Sequence, residues 1–240
     1  MNIEHSTLDI LKAMAIQTAA PSVTRTPVRT PNTPFSERAV AWINAHRQLS
    51  SWIGAILVVG GGLFIWTLTT QRREEEIASR ELQGARFAFE SQNLPLAASE
   101  LARVVENYAG TNAAEEGRLL LGNVRMLQGQ PQQAIEVLRD HAPRAGRAFR
   151  SQAYGLLGAA YENTGRFRDA GEAYENASAA GRLDFQKAQM LSEAGRAWTA
   201  AADTTRAIAA YKRIVKDFPK EGMVTEAKVR LGELTKGAAS

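Results

Sequence analysis

Side chains able to do chemistry are sparse in this chain of 240 residues. Cysteine is absent, which removes thiolate nucleophiles, disulfides, Cys-based zinc and iron–sulfur sites, and acylation of a cysteine. The three histidines, His5, His46 and His141, are far apart and form no H-x-x-x-H pair, so no metal-ligand spacing emerges. Glu115 and Glu116 are adjacent carboxylates of the kind an acid/base pair uses. They open a helical stretch, where the dipole favours negative charge, and are expected to be solvated there. The strings GGG (60–62) and GRAF (146–149) neither follow a strand nor carry G-K-[ST], so they cradle no phosphate. With no G-x-S-x-G either, the reading is a protein that is not an enzyme and needs no cofactor or metal.

The remaining balance of residues points to a folded chain. Hydrophobic residues make up 45% and charged ones 22%, the range of chains that close around a core. Lys and Arg number 29 against 25 Asp and Glu, with no basic run longer than Arg72-Arg73, so a nucleic-acid footprint is not indicated.

Residues 48–71 are uncharged, between Arg47 and Arg72, and their centre, SWIGAILVVGGGLFIWTL, is apolar nearly throughout. About 20 such residues cover the hydrocarbon layer of a bilayer, and Trp52 and Trp66 lie where interfacial aromatics sit. The stretch predicts one transmembrane helix at 50–70, uncleaved because it begins some fifty residues in and no A-x-A-like site follows. Before it, residues 1–35 form a tail: a short amphipathic helix at 6–20, with Ser6 as cap, then the extended Pro- and Thr-rich linker 21–34. Residues 36–49 predict a juxtamembrane amphipathic helix capped by Ser36. Arginines near the span number two before it and four after it, which leans toward a cytoplasmic carboxy-terminal domain.

Beyond the span the apolar pattern is helical and repeats. Ala85, Gly122, Gly158, Gly195 and Gly232 are separated by 37, 36, 37 and 37 residues, a period typical of stacked helical hairpins. Around these positions recur Leu121, Gly122 and Ala134; Leu157, Gly158, Tyr161, Ala170 and Tyr174; and Gly195, Trp198, Ala207 and Tyr211. Small residues let the two helices of a hairpin approach, and the aromatics Tyr161 and Tyr174 are expected to fill the wedge to the next hairpin. Four repeats are predicted at 78–111, 115–148, 151–184 and 188–221, with a solvated cap at 225–235 and spacer residues 112–114, 149–150, 185–187 and 222–224 between them. His141 falls at a packing position of a second helix.

These residues resemble the tetratricopeptide repeat, with G-x-x-[YW], then Ala, then an aromatic, and Pro219 closing the last copy. The expected fold is therefore all-α: tail, single span, and a tetratricopeptide-type solenoid over 71–240. Its concave face, built by first helices, would bind protein partners through Asn123, Met126, Leu127, Glu162, Asn163, Arg196 and Thr199. Leu119, Gly155 and Ser192 stand where the carboxylate-clamp lysines of chaperone-binding members would be. The layout of tail, span and degenerate repeats, with GRLLLGNVRMLQGQPQQAIEVL, is similar to the ancillary subunit of the bacterial Sec translocon. That resemblance implies a non-enzymatic adaptor in the inner membrane, its repeats in the periplasm against the arginine count, joining the translocon to periplasmic chaperones. A self-assembling envelope scaffold, a homo-oligomer, and a cytoplasm-facing adaptor remain the alternatives.

Overall fold

The computed structural model describes the backbone of residues 35–235 and all their side chains except 38–41, 43, 47, 49, 50 and 53–55. The expected helix at 6–20 and the linker at 21–34 lie outside the described residues. Among the described residues every regular element is a helix, in the order α1 (Phe35–Ala45), α2 (Arg47–Glu90), α3 (Leu94–Asn107), α4 (Asn112–Leu127), α5 (Pro131–Leu138), α6 (Arg150–Asn163), α7 (Phe167–Ala180), α8 (Asp184–Ala200), α9 (Thr204–Asp217) and α10 (Met223–Leu234). The chain divides into two units, one ending at Gly61 and one beginning at Gly62.

In the first unit α1 begins at Phe35, so Ser36 lies inside the helix and is not its cap. Trp42 and His46 close α1 with their rings stacked, centroids 5.1 Å apart. The helix α2 runs on through the three glycines for 44 residues, so the expected span and the first helix of the first repeat form one element. Its apolar side chains from Ile56 to Trp66 are exposed at every described position, as are Trp52 and Trp66, at 71% and 63%. Among the described residues no helix is long and apolar enough to cross a membrane, so the expected span at 50–70 is not shown.

The second unit is a run of antiparallel hairpins: α2 with α3, α4 with α5, α6 with α7, α8 with α9, and α10 laid on the last. Alanine dominates its core, from Ala78, Ala85 and Ala97 to Ala194, Ala207 and Ala227, because helices this closely spaced leave room for little more than a methyl group. Each of the four turns contains one left-handed residue: Gln92, Gly129, Gly165 and Ala202, with φ of 60°, 71°, 73° and 59°. Glycine removes the steric cost of that conformation at two of them, and Gln92 and Ala202 bear it at the others.

All twelve residues singled out for packing between helices, from Leu121 and Gly122 to Ala207 and Tyr211, are buried. The wedge is built differently from the expectation. Tyr174 lies on Gly158 of its own hairpin, where a Cβ would come within 2.7 Å of its ring, and Tyr211 lies on Gly195 in the same way, at 2.6 Å. An aromatic that reaches a neighbouring hairpin is Trp198, whose indole occupies the space above Gly171.

Repeat boundaries also differ. Residues 112–114 and 185–187, and Met223 and Val224, are no spacers; they form first turns of α4, α8 and α10. The helix α5 stops at Leu138 after eight residues, so His141 lies in the turns before α6 and not on a second helix. Pro143 keeps the chain from resuming a helix there, since it disfavours helical backbone at Ala142 before it and has no amide to donate.

Candidate protein-binding groove

The first helices of the hairpins are not evenly spaced. The helix α4 lies directly against α6, and α8 against α10, whereas α6 and α8 stand further apart at their amino-terminal halves. The gap is a groove of about 740 Å³. Ser151, Gln152, Gly155 and Leu156 of α6 form one wall, and Phe185, Gln186, Gln189 and Met190 of α8 the other. Arg147, before α6, and Arg182 and Leu183, before α8, line its mouth. Gly155 lets Met190 of the facing wall come close: a Cβ there would meet its Sδ at 3.2 Å.

Hydrogen bonds brace both walls against α7. The Ser151 hydroxyl donates to the Ala177 carbonyl at 2.8 Å, tying the start of α6 to the end of α7. The buried Ser178 hydroxyl donates to the Lys187 carbonyl at 3.0 Å, fixing the start of α8 to the same turn. Hydroxyls satisfied in this way tie the two helix starts to α7. Leu183 and Phe185 nevertheless remain half exposed at 52% each, apolar side chains with nothing covering them.

At their carboxy-terminal ends α6 and α8 are joined across the gap. Arg196 lies 3.2 Å from Glu162 and also pairs with Glu193 on its own helix. Glu162 in turn accepts from the Tyr174 hydroxyl at 2.7 Å. Burial first, and that hydrogen bond second, push the Tyr174 phenol well above the ordinary tyrosine range, so it stays a donor. Of the residues expected on the binding face, Glu162 and Arg196 are thus engaged with each other. Asn163 donates to the Ala159 carbonyl and Thr199 to the Gly195 carbonyl, within their own helices. Met126 packs against the core, Asn123 is half-buried, and Leu127 stays exposed on α4. None of the seven lines the groove, which lies toward the other end of the same helices. Its signal in the sequence was the basic and aromatic content of the junctions, with Arg147, Arg182, Leu183 and Phe185 around segments that the period set aside.

A second polar cluster sits at the start of α4. His141 Nδ1 lies 2.9 Å from the Arg118 guanidinium, which can only donate, so Nδ1 is the acceptor and the neutral ring carries its proton on Nε2. That Nε2 is 3.2 Å from Glu115 Oε2, outside hydrogen-bond alignment. Burial, and then Arg118, lower the His141 pKa below the ordinary imidazole value, with Glu115 opposing. Glu115 and Glu116 are therefore not simply solvated: the second pairs with Arg86 of α2. Among the described residues no group of three or more His, Cys, Asp or Glu could hold a metal ion.

The comparisons with known proteins agree with this architecture. The family model described as the tetratricopeptide repeat-like domain matches residues 67–192, more than half of the chain. The chain belongs to the tetratricopeptide repeat-like domain family. A second model, the tetratricopeptide repeat itself, matches residues 185–221. Among solved structures the solenoid is similar to the nearly identical TPR-like repeats of a Podosopora anserina protein named for kinesin light chain, at 20% identity and TM-score 0.51, covering 67% of this chain and 87% of that one. A Q17M form of the same repeats matches at 21% identity and TM-score 0.52, with the same coverage. At this identity the likeness is one of fold. No curated protein matches the sequence.

Proposed function

We propose that this tetratricopeptide protein is a membrane-anchored adaptor that holds a protein partner in the groove between α6 and α8. The repeat family supports the protein-binding part, because such repeats work as interaction scaffolds and not through catalytic side chains. The observation that carries the anchor is the apolar surface of α2. Ile56, Leu57, Val58 and Val59, then Leu63, Phe64, Ile65 and Trp66, occupy consecutive positions and so point around the whole helix, and all are exposed. A helix apolar on every side is stable in lipid and unfavourable in water. Twenty-one residues at 50–70 would extend about 30 Å, the thickness of a hydrocarbon layer.

The resemblance in layout to the ancillary subunit of the Sec translocon supports a bacterial inner-membrane location, with the repeats in the periplasm beside the translocon and periplasmic chaperones. The arginine count opposes that orientation only weakly, since long domains cross regardless of it. Washing membranes at alkaline pH tests the anchor: the full chain is expected in the pellet, and release into the supernatant contradicts it. Protease added to spheroplasts is expected to cleave the solenoid, and a protected solenoid reverses the orientation. Crosslinking in native membranes with mass spectrometry is expected to recover translocon or chaperone subunits, and their absence removes that partner.

A further inference from the structure

The groove is apolar along its walls and basic at its mouth, and two of its charges are unanswered. Leu156, Leu183, Phe185 and Met190 supply the apolar surface. Arg147 and Arg182, together with Arg150 and Lys187, surround an adjoining hollow of about 650 Å³. Neither lining contains a carboxylate. Lys187 has Asp184 at 3.2 Å, and Arg150 donates to the Ala145 carbonyl. Arg147 and Arg182 are exposed and have no carboxylate partner among the described residues, whereas Arg166, Arg196 and Arg206 of the same solenoid do. The amides of Gln152, Gln186 and Gln189 face the same space, each able to donate and to accept.

We infer that the groove takes an acidic peptide segment bearing a bulky apolar side chain. The inference rests on the adaptor reading above and adds the chemistry of the partner. Two unpaired guanidiniums at one end repel a basic segment and give charge-assisted hydrogen bonds to carboxylates. The apolar surface between them and the clasp of Glu162 with Arg196 offers burial to one large side chain, and the glutamine amides match a peptide backbone. A nucleic acid would want stacking platforms along a basic track, and here the cations are confined to the mouth.

The test uses the full chain in detergent micelles and the fluorescence anisotropy of a short labelled peptide rich in Glu with one Phe. It is expected to bind, to weaken as salt is raised, and to lose at least about tenfold in affinity when Arg147→Glu and Arg182→Glu are combined. Both arginines are exposed, so circular dichroism of the double variant should be unchanged. The same peptide with its acids replaced by lysines should not bind. Equal binding of both peptides, lost only with Phe185→Ala, overturns the acidic preference and leaves the groove as the binding site. Binding of phosphatidylglycerol vesicles or an oligonucleotide through Arg147 and Arg182, with no peptide binding, overturns the inference. Failure of both peptides while a photoreactive phenylalanine analogue in place of Gln189 still crosslinks to a protein in membranes overturns the inference and spares the adaptor reading.

Discussion

The indole of Trp198 fills the space that Gly171 leaves: a Cβ at Gly171 would lie 2.5 Å from indole Cε2. The ring is 1% exposed, its N–H donates to Glu175 at 3.0 Å, and the Arg206 guanidinium covers it at 4.5 Å. Held on all these sides it cannot retreat. Gly171→Ala is therefore expected to destabilise the protein by about 1–3 kcal/mol, although alanine is the better helix former by about 1 kcal/mol. Gly232→Ala, on α10 with nothing within 4 Å, should have the opposite sign. Urea midpoints of the two variants check both, and a stabilising Gly171→Ala would refute the packing described.

Glu75 of α2 caps α4. Its carboxylate accepts from the amides of Asn112 at 2.8 Å and Ala113 at 3.0 Å, while the Thr111 hydroxyl accepts from Ala114 at 3.1 Å. The first amides of α4, unpaired within the helix, are thereby satisfied by a negative charge at the positive end of the dipole. Glu75→Ala should cost about 1 kcal/mol and Glu75→Gln less, because the amide oxygen still accepts. Amide hydrogen exchange at residues 112–114 should quicken in Glu75→Ala; unchanged exchange would show the cap to be idle.

His141 makes stability depend on pH. Its folded pKa lies below its unfolded one, so the unfolded chain binds the proton more readily and stability falls as pH drops below about 6.5. Above that value the contribution is fully present. Arg118, and against it Glu115, are the charged groups facing the ring. Comparing thermal midpoints at pH 7.5 and 5.5, the native chain should lose more than His141→Gln; equal losses would remove His141 as the cause.

Much of the solenoid was legible because its signal is periodic. The spacing of Gly122, Gly158 and Gly195 marks where helices touch, and the same period recurs in the left-handed turn residues Gly129, Gly165 and Ala202. What the period could not show was direction. It placed aromatics at Tyr174 and Trp198 alike, yet one lies on its own hairpin and the other on the preceding one, a choice made by glycines at 158 and 171. It also hid what breaks it. The stop of α5 before Pro143, the cap from Glu75 and the basic mouth at Arg147 and Arg182 arise in junctions that a repeat template treats as filler. Of the expected contacts, Glu162 and Arg196 join α6 and α8 at one end, while the open space is at the other.

The central claim is that the groove between α6 and α8 holds a protein partner at a membrane. A photoreactive phenylalanine analogue in place of Gln189, inside the groove, and in place of Lys212, exposed on α9, tests it in the full chain in native membranes. Irradiation is predicted to give a discrete protein adduct from position 189 in the membrane fraction and little from position 212. No protein adduct from 189, or the same adducts from both positions, would contradict the account.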